Sequence, residues 1–345
     1  MLPLAPELET YRGLLYGAAL LHDIGHGPLS HTGEEMFGLH HEAWSARVIR
    51  HHPEIHDCLE SHASGTAEAV ANLLEHGRSP HPLIKHLVSS QLDCDRLDYL
   101  LRDSYSTGTR YGQLDLDRIL GALTLAPDGD MAIHPKGLMA VEHYLVVRNL
   151  MYRSVYNHRL NVVCNWLLEK LILTARQLGP EQVWADEVMA SWLWQPDQIQ
   201  LESFLANDDQ RTGYHLQRWQ SEGPPALAEL SGRFLDRRLL KATAVEHLSP
   251  ADQLQLLAKA RRLADRHGHD PELCCGLRHQ HLRGYHPYRG GLRLWDGQQL
   301  QALEKASPLV ASLATPAATS WLIHPRDISS ELRQEMDVEW PRAAG

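Results

Sequence analysis

The sequence predicts a mainly α-helical protein with a small α+β region at its carboxyl end. Apolar residues recur at helical spacing through most of the first 245 residues, and short apolar runs bounded by turn residues appear only after them. The hydrophobic fraction of 43% is enough for a sizeable core. Because 345 residues exceed the usual size of a single domain, we expect one large domain with smaller additions.

The first predicted helix covers residues 8–23 and ends at the glycines of the next turn, Gly25 and Gly27. Thr32 followed by Glu35 has the spacing of a capping box, which predicts a second helix directly after that turn. Further helices are predicted over residues 42–51, 66–76, 83–104 and 137–179, the last as one long stretch that a kink can interrupt.

Gly179-Pro180 marks a boundary, after which the apolar spacing predicts more helices over residues 183–238. A helix is predicted at 254–267 and strands at 291–297 and 320–324. These elements predict a core over residues 1–180, a helical extension packed on it over 181–245, and a small α+β region over 246–345.

The composition excludes several classes of protein. Thirty-three Lys and Arg residues against 43 Asp and Glu give a net charge of −10, which argues against a general nucleic-acid binder. The five cysteines include no C-x-x-C pair, so we expect neither a disulfide framework nor a zinc knuckle. With no signal peptide and no run of about 18 apolar residues, the sequence predicts a soluble, cytoplasmic protein.

Residues 20–31 form the densest motif, with His22-Asp23, His26 and His31 following an apolar helical run. An imidazole beside a carboxylate offers one cation a mixed nitrogen and oxygen ligand set, which suits Mn, Fe or Zn. The motif therefore suggests a metal-dependent phosphohydrolase. The alternative is a helix end where a histidine charge interacts with the last carbonyls.

Two other His-Asp dipeptides serve as internal controls. His56-Asp57 and His269-Asp270 lack both the apolar run and the glycine-rich turn. We expect both of them on the surface.

A second acidic ligand is expected from residues 91–103. There Asp95, Asp98, Tyr99 and Arg102 stand at positions i, i+3, i+4 and i+7, which places them on one helical face. The alternative is a solvated face braced by an Asp98–Arg102 ion pair.

A third feature is a stretch without acidic residues, from residue 143 to residue 168, that carries Arg148, Arg153 and Arg159. Arg148, Tyr152, Tyr156 and Arg159 repeat at intervals of 4, 4 and 3, so one helical face can clamp phosphates and stack on a base or sugar. The alternative is a core helix whose polar tips reach outward.

These motifs, with His41-Glu42 and residues 153–158, resemble the HD-domain phosphohydrolases and, within them, the deoxynucleoside-triphosphate triphosphohydrolase-like branch. The resemblance covers nearly the whole chain and implies an HD-domain helical bundle. It also implies in-line attack at the α-phosphorus of dGTP or other dNTPs, giving a deoxynucleoside and inorganic triphosphate. Two alternatives are another HD-type phosphodiesterase or nucleotidase, and a nucleotide-binding protein that has lost its metal.

The resemblance also implies roles for particular residues. The implied metal ligands are His22, Asp23 and Asp95. The implied catalytic residues are His26, Glu34 and His41, with a His41/Glu34 pair supplying the proton. The implied substrate-binding residues are His31, Asp98, Tyr99, Asp103, Arg153 and Tyr156.

Cofactors and partners follow from the same resemblance. It implies a divalent metal (Mn, Mg, Fe or Zn), a dNTP substrate, a regulatory nucleotide and a homo-oligomer, whereas the composition argues against a membrane or nucleic-acid partner. Tyr152 stands where the vertebrate members have His. The family also takes one metal ligand from a histidine well upstream of the His-Asp pair, and no histidine precedes His22. We therefore expect a chain truncated at its start, with a weakened or lost metal site as the alternative.

Overall fold

The computed structural model describes residues 5–282, 285–287, 291–315 and 317–339. These residues form two compact units. The first unit contains the described residues of Met1–His26, His40–Tyr156 and Arg283–Pro316. The second contains those of Gly27–Leu39, Asn157–Leu282 and Ala317–Gly345. The domain boundaries predicted near residues 180 and 245 stay predictions.

Helices dominate both units, which confirms the predicted fold class. In the first half of the chain they are α1 (Arg12–Leu21), α2 (His31–Phe37), α3 (His41–His51), α4 (Pro53–His62), α5 (Thr66–His76), α6 (Pro82–Val88), α7 (Cys94–Thr107), α8 (Leu116–Gly121) and α9 (Leu138–Met151). In the second half they are α10 (Arg159–Leu178), α11 (Glu187–Trp194), α12 (Leu201–Leu205), α13 (Asp209–Glu222), α14 (Pro225–Leu235), α15 (Pro250–Arg266), α16 (Pro271–Cys274), α17 (Leu303–Ala306), α18 (Pro308–Leu313) and α19 (Ser329–Glu339).

Each unit also holds a small sheet. The strands are β1 (Leu123–Leu125), β2 (Met131–Ile133), β3 (Lys241–Ala244), β4 (Gly276–Leu282), β5 (Arg293–Trp295), β6 (Leu300–Ala302) and β7 (Ala317–His324). In the first unit the order is β1-β2-β5-β6, with β2 and β5 parallel. In the second unit β7 pairs antiparallel with both β3 and β4, and Lys241 lies opposite His324.

The helix predicted over 83–104 is in fact two helices, because residues 89–93 leave the helical conformation. Asp93 has an extended backbone, and its carboxylate accepts a hydrogen bond from the Arg96 amide at 2.8 Å. This cap gives α7 a new amino terminus. The strands and helices predicted at 42–51, 66–76, 254–267, 291–297 and 320–324 correspond to α3, α5, α15, β5 and β7.

The long helix predicted over 137–179 is also interrupted. A π-helical turn, Tyr152–Tyr156, follows α9, and the extended residue His158 caps α10 through a 3.3 Å hydrogen bond from the Leu160 amide. Arg159 therefore begins a helix of the second unit. The single Arg/Tyr face predicted from the 4, 4, 3 spacing was wrong, since the helix on which it depended ends before Arg159.

The predicted capping box was wrong as well. α2 begins at His31 after Ser30, whose φ is 54° and whose side chain makes no cap hydrogen bond. The Thr32 hydroxyl instead donates to the Asn165 side-chain oxygen at 3.0 Å. Glu35 forms an ion pair with Arg278. Both residues of the predicted capping box therefore make tertiary contacts instead of capping the helix.

The core of the first unit positions the helices that carry the candidate site. Leu97 and Leu100 of α7 are buried with residues of α3, α5 and α9. Burial of this apolar face leaves Asp95 and Tyr99 only partly exposed beside it. Among the described residues, no helix is both long enough and apolar enough to cross a membrane.

Candidate active site

The end of α1 orients His22. Its Nδ1 atom donates to the Ala19 carbonyl at 3.1 Å, which leaves the Nε2 lone pair for another partner. Nε2 is buried and lies 3.4 Å from an oxygen of Asp23 and 3.4 Å from an oxygen of Asp95. The three side chains lie at the ends of two different helices of the first unit. Their ligand atoms lie within 4.8 Å of one another.

These distances fit a shared cation better than a hydrogen bond. An N–H···O bond is usually about 2.7–3.2 Å long, shorter than either contact of Nε2. Two ligand atoms about 2.1 Å from one metal lie roughly 3.0–3.4 Å apart. A lone pair facing two carboxylates needs a proton or a metal, and the contact with Asp95 raises the pKa of His22 to about 9. His22, Asp23 and Asp95 can therefore hold a divalent metal.

Two further histidines lie beside Asp23. The Nε2 atoms of His26 and His41 are 3.6 and 3.8 Å from Asp23 Oδ1. Their rings stack at a centroid distance of 4.1 Å and an interplanar angle of 16°. His26, followed by His22 and His41, holds the pKa of Asp23 below its ordinary value. The carboxylate stays ionised next to groups that can carry protons.

Ser45 of α3 holds the turn that carries these histidines, and no motif in the sequence indicates this role. Its hydroxyl donates to the His22 carbonyl at 2.6 Å and accepts from the Gly25 amide at 2.9 Å. A Cβ at Gly25 would lie 2.1 Å from the Ser45 amide and 2.3 Å from the His41 carbonyl. Only glycine allows the turn to approach α3 this closely.

An aromatic cluster lies along α7 beyond Asp95. The Tyr99 hydroxyl is 3.4 Å from that of Tyr152, and Tyr156 packs edge-on against both rings. The Tyr156 hydroxyl donates to Asp103 at 2.6 Å. Burial and this carboxylate raise the pKa of Tyr156. Tyr99, Asp103 and Tyr156 thus lie together with Tyr152, and the substrate-binding roles that the resemblance implies for the first three stay predictions.

Arg148 supplies buried positive charge near this cluster. The residue is 6% exposed, and its guanidinium lies 5.5 Å from the centre of the Tyr152 ring. Its Nη1 atom is buried and has no hydrogen-bond partner among the described residues. A buried, unsatisfied guanidinium is costly unless an anionic ligand completes it. Arg153, to which the resemblance assigns substrate binding, is exposed on the π-helical turn, and this role stays a prediction.

Asp98 forms the ion pair that the sequence left open as the alternative. Both side chains are exposed, and Arg102 Nε and Nη2 donate to the carboxylate at 3.0 and 2.9 Å. Arg102 holds the pKa of Asp98 below its ordinary value. The role of Asp98 in substrate binding stays a prediction.

His31 and Glu34 lie on α2 in the second unit. His31 Nδ1 is 2.9 Å from Glu34 Oε2. Leu29 and Ser30, just before them, have positive φ angles of 63° and 54°, and the Leu29 amide donates to Asp209 at 2.7 Å. The functional roles of His31 and Glu34, including the pairing of Glu34 with His41, stay predictions.

Comparisons with known proteins show the family of this chain. The HD domain family matches residues 2–103, and the HD associated region matches residues 114–272. The Bacillus subtilis protein named "Uncharacterized protein YwfO" is 30% identical over 330 residues, which are 93% of this chain and 75% of that protein. This chain belongs to the HD-domain phosphohydrolase family.

Two relatives of this HD-domain phosphohydrolase have informative names. The "Metal-dependent phosphohydrolase cns2" of Cordyceps militaris is 30% identical over 60% of this chain and 58% of its own length. The "Deoxynucleoside triphosphate triphosphohydrolase SAMHD1 homolog" of Dictyostelium discoideum is 27% identical over 50% of this chain and 36% of its own length. This chain therefore spans about a third to three fifths of these two proteins.

A solved structure shares the fold. The phosphohydrolase from Bacteroides thetaiotaomicron has a TM-score of 0.75 and 26% identity, and covers 91% of this chain and 79% of its own. An Aquifex aeolicus protein with a TM-score of 0.71 is 23% identical and shows the fold alone. The HD-domain phosphohydrolase assignment thus agrees in sequence and in structure.

Proposed function

We propose that this HD-domain phosphohydrolase hydrolyses deoxynucleoside triphosphates to a deoxynucleoside and inorganic triphosphate. One observation carries the proposal: a single helix, α7, bears both Asp95 at the candidate metal site and the Tyr99 and Asp103 groups of the aromatic cluster. Asp95, Tyr99 and Asp103 are four residues apart, and four helical residues rise about 6 Å. The metal ligand, the aromatic ring and the second carboxylate therefore follow one another at a spacing that suits the phosphate and sugar of a nucleotide.

The metal site supports cleavage at a phosphorus atom. His22, Asp23 and Asp95 would hold the divalent metal, which when bound supplies positive charge to a phosphate oxygen. His26 and His41 lie beside Asp23, and we assign to one of them the proton that the leaving 5′-oxygen needs. Arg148 would bind the phosphates through its unsatisfied Nη1 atom.

The aromatic cluster supports a nucleoside as the leaving group. Asp103, held by the Tyr156 hydroxyl, can accept a hydrogen bond from a sugar hydroxyl. The rings of Tyr99, Tyr152 and Tyr156 offer apolar surface for the sugar or base. The name of the Dictyostelium relative, a deoxynucleoside triphosphate triphosphohydrolase, supports the same substrate class.

The test is product analysis. The protein is incubated with each dNTP and each NTP in the presence of Mn²⁺ or Mg²⁺, and the products are separated by ion chromatography. We expect a deoxynucleoside and triphosphate in equal amounts from dNTPs, with none from an Asp95→Asn variant. Pyrophosphate with a monophosphate, or stepwise release of phosphate, would instead identify the alternative nucleotidase. Nucleotide binding without turnover would identify a catalytically inactive binding protein.

A basic cavity of about 500 Å³ in the second unit favours the predicted regulatory nucleotide. Arg159, Lys241 and Arg333 line it with Trp321 and one carboxylate, Asp337. Among the described residues, none of the three cations has an ion-pair partner. Burial, Arg333 and other nearby arginines hold the pKa of Lys241 below its ordinary value. We assign the phosphates of the regulatory nucleotide to this cavity.

Thermal shift with dGTP tests this assignment without relying on turnover. The Arg333→Ala variant should lose the part of the dGTP-induced rise in Tm that binding in this cavity contributes. The matched control is Arg262→Ala, which changes an exposed arginine of α15. This variant should keep the whole dGTP-induced rise in Tm. An equal rise in both variants would contradict the assignment.

We also propose the homo-oligomer and the cytoplasmic location implied by the family and the composition. Large apolar side chains of the first unit stand open to solvent, with Leu20 at 81%, Met139 at 80% and Tyr105 at 89% exposure. An association surface would bury these side chains where they form one contiguous patch. Light scattering after size-exclusion chromatography should give a mass at least twice the 39.0 kDa of one chain.

A further inference from the structure

Gln91, just before α7, ties the start of this helix to a distant part of the chain. The residue is 7% exposed. Its side-chain Nε2 donates to the His286 carbonyl, and its Oε1 accepts from the His286 amide at 2.7 Å. A side-chain amide can donate to and accept from the backbone of one residue at the same time. The Gln91 carbonyl also accepts from the Tyr144 hydroxyl at 2.6 Å.

His286 belongs to what we call the return segment, the described residues 285–287 and 291–315. This segment lies between β4 and β7 of the second unit in sequence, but belongs to the first unit. The buried Tyr285 organises it: its hydroxyl accepts from the Leu292 amide at 2.7 Å and donates to Glu304 at 3.1 Å. The return segment lies outside both family matches, which end at residues 103 and 272.

The short stretch from Gln91 to Asp95 connects this anchor to the candidate metal site. Asp93 accepts from the Ser90 amide and the Arg96 amide, each at 2.8 Å, and also pairs with the Arg96 guanidinium. Its side chain is fully buried. Asp95 follows in the first turn of α7. A shift of Gln91 would therefore also move the backbone that carries Asp95, because the few residues between them are held by the hydrogen bonds of Asp93.

We propose that Gln91 is a positioning residue for the metal site and that the return segment braces Asp95 through it. The brace holds the Asp95 carboxylate 3.4 Å from His22 Nε2. Groups that orient metal ligands commonly change metal affinity 10–100-fold when they are removed. This inference rests on the metal ligands assigned under the proposed function.

The test measures Mn²⁺ binding to the whole chain by calorimetry. Gln91→Met keeps the length of the side chain but removes both hydrogen bonds. The matched control is Gln253→Met, because Gln253 is also buried and donates to the Val245 and Leu248 carbonyls at 3.1 and 3.0 Å, but lies in the second unit. Asp95→Asn tests the metal site itself.

We expect Gln91→Met to raise the Kd for Mn²⁺ about 10-fold, while Gln253→Met lowers Tm and leaves the Kd within about twofold. At saturating Mn²⁺, Gln91→Met should regain most of its kcat, with KM for dNTP unchanged. If Gln91→Met does not fold, Gln91→Glu, which keeps the acceptor and loses the donor, should still raise the Kd several-fold.

The outcomes separate this inference from the metal site. If Asp95→Asn loses Mn²⁺ binding but both Gln91 variants bind like the wild type, the positioning role is wrong and the metal site stands. If the wild type does not bind Mn²⁺, or Asp95→Asn binds it equally well, both are wrong.

Discussion

His22 Nε2 and Asp95 Oδ1 lie 3.4 Å apart at the ends of two different helices of the first unit. His22 closes α1, and Asp95 lies in the first turn of α7. The two side chains keep 25% and 38% of their surface exposed, so a ligand can reach this pair of residues. The geometry joins two motifs that are far apart in sequence into one candidate metal site.

The close approach of Gly25 to α3 predicts that this position does not tolerate a side chain. Gly25→Ala would push a Cβ to 2.1 Å from a backbone atom, so we expect a loss of about 3 kcal/mol in the free energy of unfolding. The control is Gly213→Ala in α13, where a Cβ meets nothing within 4 Å and should stabilise by about 0.5–1 kcal/mol. Urea denaturation measures both. Equal stability of the two variants would refute the role of the close contact.

The Tyr156–Asp103 hydrogen bond predicts a specific loss of substrate binding. Tyr156→Phe removes the donor that orients Asp103, so KM for a dNTP should rise about 10-fold, as expected for a hydrogen bond to a charged group. Tyr105→Phe is the control, since Tyr105 is 89% exposed. Steady-state kinetics would contradict the assignment if both variants kept the wild-type KM.

His324 predicts a loss of stability in mild acid. The ring is fully buried, donates to the Pro325 carbonyl at 2.7 Å and accepts from Thr243 at 2.9 Å. Burial, with Lys241 and Arg333 nearby, lowers its pKa to about 4, whereas the unfolded ring takes up a proton near pH 6.5. Protons therefore bind the unfolded state first, and stability falls as the pH drops from about 6.5 towards 4.

At pH 5 the difference between the folded and unfolded pKa of His324 lowers the free energy of unfolding by about 2 kcal/mol. Urea denaturation at pH 7 and pH 5 measures it. From pH 7 to pH 5, the free energy of unfolding of the wild type should fall by about 2 kcal/mol more than that of His324→Gln, which has no titrating group at this position. His56→Gln, at a partly exposed histidine, should follow the wild type. Parallel losses in the wild type and His324→Gln would rule out the buried ring as the cause.

Much of the fold follows from local sequence signals. The apolar spacing predicted α3 and α5, and turn residues around short apolar runs predicted β5 and β7. The break before α7 was missed because Asp93 caps the new helix, and an aspartate inside a helical pattern does not show whether it caps. β1, β2 and β3 are too short to stand out, and β2 and β3 also pair with strands far along the chain.

Part of the candidate site was also predictable from local sequence signals. The His22-Asp23 motif and the α7 pattern identified the groups that meet in the first unit, since titratable residues at helical spacing leave a signal. Ser45 and Gln91 left none, because a serine or glutamine acts only through the backbone it happens to meet. Their roles appear only in three dimensions.

Metal binding by Asp95→Asn tests the central claim most directly. The control is Asp57→Asn, which changes the exposed carboxylate of another His-Asp dipeptide, where His56 Nδ1 lies 3.4 Å from Asp57. Calorimetry with Mn²⁺ should show binding to the wild type and to Asp57→Asn, and a loss of at least about 10-fold in affinity for Asp95→Asn. Equal Mn²⁺ affinity in all three proteins would contradict a metal site built on His22, Asp23 and Asp95.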